Sequence, residues 1–305
     1  MLNLARLRVL REVVQRGSFS AAAEALDYTQ SAVSQAIARL EAETGAALLV
    51  RDRRGVRATA AGTTLLTHAE TILAQVKAAE DDLAAVLGLR GGRLRIASFP
   101  SAGSTLIPQA VAAFRHLHPD VELSLGEGEP EDIAPRLRAG EFDLALLFEF
   151  PGEEPHFRGL ETTPLIHDPM WVALPVDHQL ARKHGLALID LCDQDWVQTS
   201  SQSPCARHVV SVCRGAGFEP RVSFESDDYD TVQGLVAAGV GVALIPRLAL
   251  SHRRPGLVVR KLAPENPVRR VFAATPRKPG VAPAAEVMLA ILSRRAREFV
   301  AHGEE

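Results

Sequence analysis

The chain opens with three short segments in which hydrophobic residues recur every three or four positions, the spacing typical of amphipathic helices. The first segment predicts a helix over about residues 2–15 with buried positions Leu4, Leu7, Leu10, Val13 and Val14. Ser18 is placed to cap a second helix, whose predicted buried face is Ala21, Ala22, Ala25 and Leu26. Asp27 and Tyr28 interrupt the pattern, and Thr29 is placed to cap a third helix with buried positions Val33, Ile37 and Leu40.

The opposite face of the third helix carries small and amide-bearing residues instead of the Glu–Lys pairs that are common on a solvated helix face. These residues are Gln30, Ser31, Ser34, Gln35 and Ala38. Such a face can approach the floor of a DNA major groove and offer donors and acceptors to base edges. Around Gly55 the chain then places Arg51, Arg53, Arg54 and Arg57, a pattern typical of a wing that contacts phosphates. The alternative is a small helical bundle whose polar face only meets water.

This order of segments resembles the winged helix-turn-helix of LysR-type transcriptional regulators. The resemblance rests on SFSAAAEAL at 18–26, QSAVSQAIARLE at 30–41, Gly45, LLVR at 48–51 and TAAG at 59–62. The chain departs from the family at Leu49, where Phe is usual, and at Ala58, where Leu is usual. The resemblance implies that the helix over 29–43 binds double-stranded promoter DNA. The residues expected at the DNA are Ser20, Thr29, Gln30, Ser31, Ser34, Gln35, Arg39, Arg51, Arg53, Arg54 and Thr59.

The charge distribution agrees with a DNA-binding module at the N-terminus. Residues 1–62 hold nine Lys or Arg and six Asp or Glu, a net charge of +3, which leaves −6 for the rest of a chain whose net charge is −3. A basic module on an acidic body is typical of a nucleic-acid reader attached to a second function. Three cysteines, no export signal and no membrane-length apolar run predict a cytoplasmic protein that does not enter a membrane.

The next segment, over about 60–88, predicts one long helix. Hydrophobic residues follow a heptad spacing through it, at Leu65, Ala69, Ile72, Val76, Ala79, Leu83 and Val86. We interpret this stripe as the seam of a homodimer, as the family resemblance also implies, and a homotetramer through the C-terminal domains as a further state. The alternative is a helix packed only on its own domain. Gly88, Gly91 and Gly92 then predict a hinge.

From Arg93 the pattern changes to alternating strands and helices, which predicts a parallel sheet covered by helices. Strands are predicted over 94–98, 121–128, 142–150, 170–176, 195–200, 220–224, 241–246 and 268–274, helices over about 106–117, 131–140, 204–215, 228–238 and 282–300, and a loop over 99–105. This half resembles the two-lobed, periplasmic-binding-protein-like (type 2) α/β effector domain of LysR-type regulators. The predicted domains are residues 1–59, 60–92 and 93–300, with lobe I at about 93–163 and 268–300 and lobe II at about 164–267.

Two hydroxyl-rich loops at the carboxyl ends of predicted strands are the candidate ligand site. The residues expected there are Ser98, Pro100, Ser101, Gly103, Ser104, Phe148, Thr199, Ser200, Ser201, Gln202 and Tyr229. Both loops precede helix N-termini, whose N–H groups favour anions, so the predicted effector is a small carboxylate. The alternative is that these Ser and Thr residues only cap helices.

The expected function is sequence-specific transcriptional regulation, with RNA polymerase as a further candidate partner. An enzyme is not expected, because the chain has no HExxH, GxSxG or GxxxxGK[ST] motif, and neither a metal site nor a cofactor is predicted. A transport protein with the same two-lobed fold is disfavoured by the helix-turn-helix.

Cys205 and Cys213 leave open a redox sensor of the same family. Eight helical positions would separate the thiols by roughly 12 Å, which is too far for a disulfide without local unfolding. Buried, inert cysteine is the other interpretation.

Overall fold

A computed structural model describes residues 2–52, 55–86, 92–152, 157–277 and 282–301 of the 305-residue chain. The chain divides into two compact units, Met1–Leu89 with Arg138–Glu141 and Arg90–Leu137 with Phe142–Glu305, called here the N-terminal and C-terminal units. The predicted wing residues Arg53 and Arg54 and the predicted hinge residues Gly88 and Gly91 lie outside the described residues, as do the side chains of Arg51, Leu83 and Val86. Within the described ranges, no helix is both long and apolar enough to cross a membrane.

The N-terminal unit consists of helices and one two-stranded hairpin. Its elements are α1 (Leu4–Arg16), α2 (Phe19–Leu26), α3 (Gln30–Thr44), β1 (Leu49–Asp52), β2 (Gly55–Ala58) and α4 (Ala60–Val86). The predicted caps are confirmed, since Ser18 Oγ accepts a hydrogen bond from the N–H of Ala21 and Thr29 Oγ1 accepts one from Ala32. Asp27 ends α2 with a φ of 55°, so the chain turns sharply into α3.

The hydrophobic core of this unit differs in part from the predicted one. Val33, Ile37 and Leu40 of α3 are buried as predicted. In α1, however, Val9 is buried, because α1 packs against α2, α3 and α4 and so buries more than one face. Leu4, which lies in the first turn of α1, is 42% exposed. In α2 the buried residues are Phe19, Ala22 and Ala23, and the predicted Ala25 is exposed.

Two close backbone approaches fix the hairpin and the start of α4. The N–H of Val56 in β2 donates to the carbonyl of Gly17, which joins the hairpin to the turn after α1. A Cβ on Gly62 would lie 2.0 Å from the carbonyl oxygen of Leu48, so this first turn of α4 requires glycine. Thr59 completes the junction, because its hydroxyl donates to the carbonyl of Ala47 and accepts from the N–H of Gly62.

The described part of the C-terminal unit consists of a seven-stranded mixed sheet and a two-stranded parallel sheet, with helices around them. Its elements are β3 (Arg93–Ser98), α5 (Pro100–Thr105), α6 (Ile107–Leu117), β4 (Glu122–Glu127), α7 (Pro130–Arg138), β5 (Leu144–Glu149), β6 (Leu160–Pro175), β7 (Asp195–Gln198), α8 (Pro204–Gly215), β8 (Arg221–Glu225), α9 (Tyr229–Ala237), β9 (Ala243–Pro246), β10 (Leu257–Arg260), β11 (Val268–Pro276) and α10 (Pro283–Ala301). The segment over 99–105, predicted as a loop, contains the short helix α5, which begins at Pro100. Strand β10 has no counterpart in the prediction.

The sheet is only partly parallel, which corrects the prediction. Strand β3 is parallel to β4 and β5, and β7 is parallel to β8. Strand β11 instead runs antiparallel to both β5 and β6. The predicted strand over 170–176 is the second half of the 16-residue β6, which pairs with β11 up to Pro169 and with β9 from Met170. β6 therefore connects the two halves of the C-terminal unit.

Candidate nucleic-acid interface and ligand cleft

The outer face of α3 is the candidate nucleic-acid interface. All five residues predicted for this face, Gln30, Ser31, Ser34, Gln35 and Ala38, are exposed, and so is Arg39. The opposite side of α3 is anchored, because Val33 and Leu40 have no exposed surface and Ile37 is 3% exposed. The helix therefore presents short amide and hydroxyl side chains on a rigid support, as a base-reading surface requires.

The other predicted DNA-contacting residues fall into three groups. Ser20 is exposed in the first turn of α2. The hydroxyls of Thr29 and Thr59 are engaged as helix caps, so any contact they make would add to a structural role. The wing strands pair Asp52 with Gly55 in an antiparallel register.

Helix α4 divides the predicted heptad stripe. Ala69 is buried against the core of the N-terminal unit and Leu65 packs against that core, as in the interpretation of a helix packed on its own domain. Further along, Ile72 is 37% exposed and Ala79 is exposed. Among the described positions of the stripe, Ile72 and Ala79 are thus available to a partner helix.

The C-terminal unit contains a cleft of about 690 Å³. Six of the predicted ligand residues line it: Ser98, Pro100, Ser101, Gly103, Ser104 and Tyr229. A small cavity of about 10 Å³ shares Pro100, Ser101 and Tyr229 with the cleft and is also lined by the predicted residues Phe148 and Thr199. The structure thus brings the loop after β3 and Thr199 after β7 to one site, with Tyr229 beside them.

The remaining three predicted residues, Ser200, Ser201 and Gln202, line neither space. The N–H of Ser200 donates to Asp227 Oδ1 at 2.9 Å, and the N–H of Ser201 donates to Glu225 Oε2 at 3.2 Å. The backbone donors on which the prediction of an anion depended are therefore already bonded to carboxylates of the protein. Contact of these three residues with a ligand stays a prediction, and the sequence could not show that β8 and the turn after it bring two acids beside this loop.

A buried ion pair that the sequence analysis missed lies beside the small cavity. Arg269 and Asp168 face each other in the register of β11 and β6, and Arg269 Nε lies 2.8 Å from Asp168 Oδ2. Neither side chain is more than 1% exposed. Arg269 also donates to Ser101 Oγ at 2.6 Å and lies 4.8 Å above the rings of Phe99 and Phe148. The signal in the sequence for this pair was the presence of Asp168 and Arg269 inside otherwise hydrophobic strands.

Acidic residues outnumber basic residues in the lining of both spaces. The cleft is lined by Glu127, Asp227, Asp228 and Asp230, and the small cavity by Glu129 and Asp227. The pKa of Glu129 is raised to about 7, chiefly by burial; Arg269 lowers this pKa, and Asp227, Asp132 and Glu131 contribute to the rise. An electrostatic environment of this kind does not favour the small carboxylate that the sequence predicted.

The cysteines on α8 are both buried and carry free thiols. Cys205 lines the small cavity, and its Sγ lies 3.7 Å from Arg269 Nη1. Burial raises the pKa of Cys205, and Arg269 only partly opposes the rise. Burial also raises the pKa of Cys213 to about 12, so both thiols hold their protons at neutral pH.

Two family models cover most of the chain. Residues 4–63 match the model described as bacterial regulatory helix-turn-helix protein, lysR family, and residues 87–297 match the LysR substrate binding domain.

Individual relatives match over nearly the full length. The probable HTH-type transcriptional regulator LrrA of Synechococcus elongatus is 35% identical over 280 residues, which cover 90% of each chain. A hydrogen peroxide-bound cysteine mutant of Corynebacterium glutamicum OxyR superposes with a TM-score of 0.61 at 28% identity, over 98% of this chain and 94% of that one. The full-length regulator CbnR, solved in complex with its target DNA, shares the fold with a TM-score of 0.60 at 22% identity, over 96% of this chain and 100% of that one.

Proposed function

This chain belongs to the LysR family of transcriptional regulators, and from that premise we propose that it reads operator DNA through α3 and that a small molecule in the cleft controls this binding. The observation that carries the proposal is the exposed Gln and Ser face of α3 above a fully buried Val33 and Leu40. Gln30, Ser31, Ser34 and Gln35 are assigned to base edges in the major groove. Arg53 and Arg54 of the wing are assigned to the DNA backbone or minor groove. Further DNA contacts are assigned to Ser20, Thr29, Arg39, Arg51 and Thr59.

Two copies are proposed to assemble through the later part of α4. The exposed Ile72 and Ala79 support this, since a long helix with exposed hydrophobic positions gains by pairing with a second copy. A two-fold dimer would present two copies of α3 to paired half-sites. A tetramer, contact with RNA polymerase, a cytoplasmic location and the absence of catalysis remain predictions.

In this proposal, a ligand bound in the cleft controls the binding of DNA. A ligand that binds one arrangement of the C-terminal unit more tightly than another shifts the equilibrium between them. Such a shift would change how the two DNA-binding units of a dimer are placed on paired half-sites.

Fluorescence anisotropy with the full chain tests the DNA-reading part of the proposal. The operator is a duplex selected from a random library, and a scrambled duplex measures non-specific binding. Gln35→Ala should weaken operator binding by about 1–3 kcal/mol and leave non-specific binding unchanged. Gln179→Ala, which removes another exposed amide outside the N-terminal unit, is the matched control. Equal losses on both duplexes for Gln35→Ala would refute the assignment.

A redox sensor is the second candidate, and the contact between Cys205 and Arg269 favours it. In that mechanism peroxide oxidises Cys205 to a sulfenic acid with release of water, and Cys213 then displaces a second water to form a disulfide. The raised pKa values of both thiols and their positions eight residues apart on α8 weigh against it. If peroxide leaves the DNA affinity of the wild type and of Cys205→Ser equally unchanged, this candidate fails.

A further inference from the structure

The small cavity shares Pro100, Ser101, Asp227 and Tyr229 with the cleft and is called here the floor of the cleft. It has hydrogen-bonding groups that the described residues do not satisfy. Glu129 Oε2 is buried and has no hydrogen-bond partner among them, and the same holds for Thr199 Oγ1. Thr199 is only 6% exposed, and both side chains line the small cavity. Buried polar atoms without a partner are costly, so these two oxygens indicate a group that enters the cavity from the cleft.

The position of Glu129 explains why its carboxylate stays at the cavity. Its backbone carbonyl accepts the N–H groups of Asp132 and Ile133 at the start of α7, so the residue is fixed by its main chain. Asp227, on the other side of the cavity, is fixed by its bond from the N–H of Ser200. Two carboxylates thus border a space that also holds an unbonded hydroxyl.

Arg269 also lines this cavity, but it does not supply the missing hydrogen bonds to Glu129 and Thr199. Its Nε is paired with Asp168, its Nη2 donates to Ser101 Oγ, and its Nη1 contacts Cys205 Sγ. The buried pair of Arg269 and Asp168 is neutral as a unit. The charge that remains at the cavity is therefore negative.

The lining of the wider cleft also carries negative charge. Asp228 is occupied in capping α9, and Asp230 is paired with Arg254 at 2.5 Å. Glu127 and Asp227 remain on the lining, where the one basic side chain among the described lining residues is His252. A ligand that carries positive charge would meet carboxylates along the cleft as well as at its floor.

We propose that the effector is an organic cation with a primary ammonium or guanidinium group, which donates hydrogen bonds to Glu129 and Thr199 at the floor of the cleft. This inference rests on the proposed function for the view that the cleft is the effector site. N–H donors satisfy the two unpartnered oxygens, and the positive charge is matched by Glu129 and Asp227. A cleft of about 690 Å³ has room for a molecule the size of an amino acid or a short diamine.

Isothermal titration calorimetry with the full chain tests the inference. The cationic probes are putrescine, agmatine and lysine, and the anionic probes are glutarate and benzoate. Tetramethylammonium carries the same charge without an N–H donor and separates hydrogen bonding from charge. At least one cationic probe should bind saturably, whereas tetramethylammonium and the anions should not.

Three variants locate the binding. Glu129→Gln should weaken binding of the amine about ten- to hundredfold, because it replaces a charged carboxylate by a neutral amide with one acceptor oxygen. Thr199→Val should weaken binding about tenfold, because it removes the hydroxyl that accepts from the ammonium group. Glu122→Gln, an exposed carboxylate on β4, should have no effect. Thermal unfolding of each variant confirms that it is folded.

The outcomes separate this inference from the proposed function. Binding of anions but not amines, no amine binding at millimolar concentration, or amine binding that Glu129→Gln leaves unchanged would each overturn the inference. Anisotropy on the same samples tests DNA binding independently. A protein that binds amines through Glu129 but does not bind duplex DNA would refute the proposed function and leave this inference in place.

Discussion

Replacing Glu129 with Gln should stabilise the ligand-free protein at alkaline pH. The pKa of Glu129 is raised from 4.5 to about 7 in the folded chain, chiefly by burial. Between these values the folded state binds more protons than the unfolded state, so this residue makes stability fall as the pH rises. Glutamine keeps the shape of the protonated carboxyl group and removes the titration.

The magnitude follows from the shift. A rise to about 7 from 4.5 corresponds to about 3 kcal/mol, at 1.36 kcal/mol for each pKa unit. Glu129→Gln should therefore gain about 3 kcal/mol at pH ~8 and less than about 1 kcal/mol at pH ~5. For a unit of this size the gain at alkaline pH corresponds to roughly 6–12 °C in melting temperature.

Circular dichroism melts of the full chain at the two pH values, at constant ionic strength, measure this difference. Glu122→Gln is the matched control because it removes an exposed carboxylate from the same unit. A Glu129→Gln protein that is no more stable than the wild type at alkaline pH, or that gains equally at both pH values, would refute the argument.

Three further changes test other parts of the structure. Asp168→Asn should cost roughly 3–5 kcal/mol in urea unfolding, because it leaves Arg269 charged and unpaired in the core; a loss below about 1 kcal/mol would contradict this. Gly62→Ala should destabilise the N-terminal unit by roughly 2–4 kcal/mol and weaken DNA binding, because its Cβ would collide with the carbonyl of Leu48; an unchanged melt would show that the junction can relax. Ile72→Glu should convert dimers to monomers in analytical ultracentrifugation, and an unchanged mass would place the dimer contact elsewhere.

The N-terminal unit could be predicted closely because its determinants are local. Ser18 and Thr29 cap helices that begin one residue later, and the spacing of Val33, Ile37 and Leu40 fixes which face of α3 is buried. A cap and a helical period each involve residues within a few positions of one another, so the sequence displays both directly. The exposed reading face of α3 follows from the same spacing.

The ligand cleft could be predicted only in part, because its character depends on residues distant in the chain. The sequence identified the loop after β3 and Thr199 after β7, which follow from the ends of strands. It did not place Glu129 and Asp227 beside them, nor the pair of Asp168 and Arg269, which are 101 positions apart.

The sequence by itself determined the family, the helix-turn-helix and the existence of a two-lobed α/β unit, since repeated local patterns encode all three. Only the tertiary structure decided the sign of charge in the cleft. The antiparallel return of β11 brings Arg269 against Asp168, so these two charges compensate each other. The turns before α7 and α9 add Glu129 and Asp227, for which the described residues form no ion pair. Net charge at a site is a sum over residues that folding brings together, and it is not a property of any one segment.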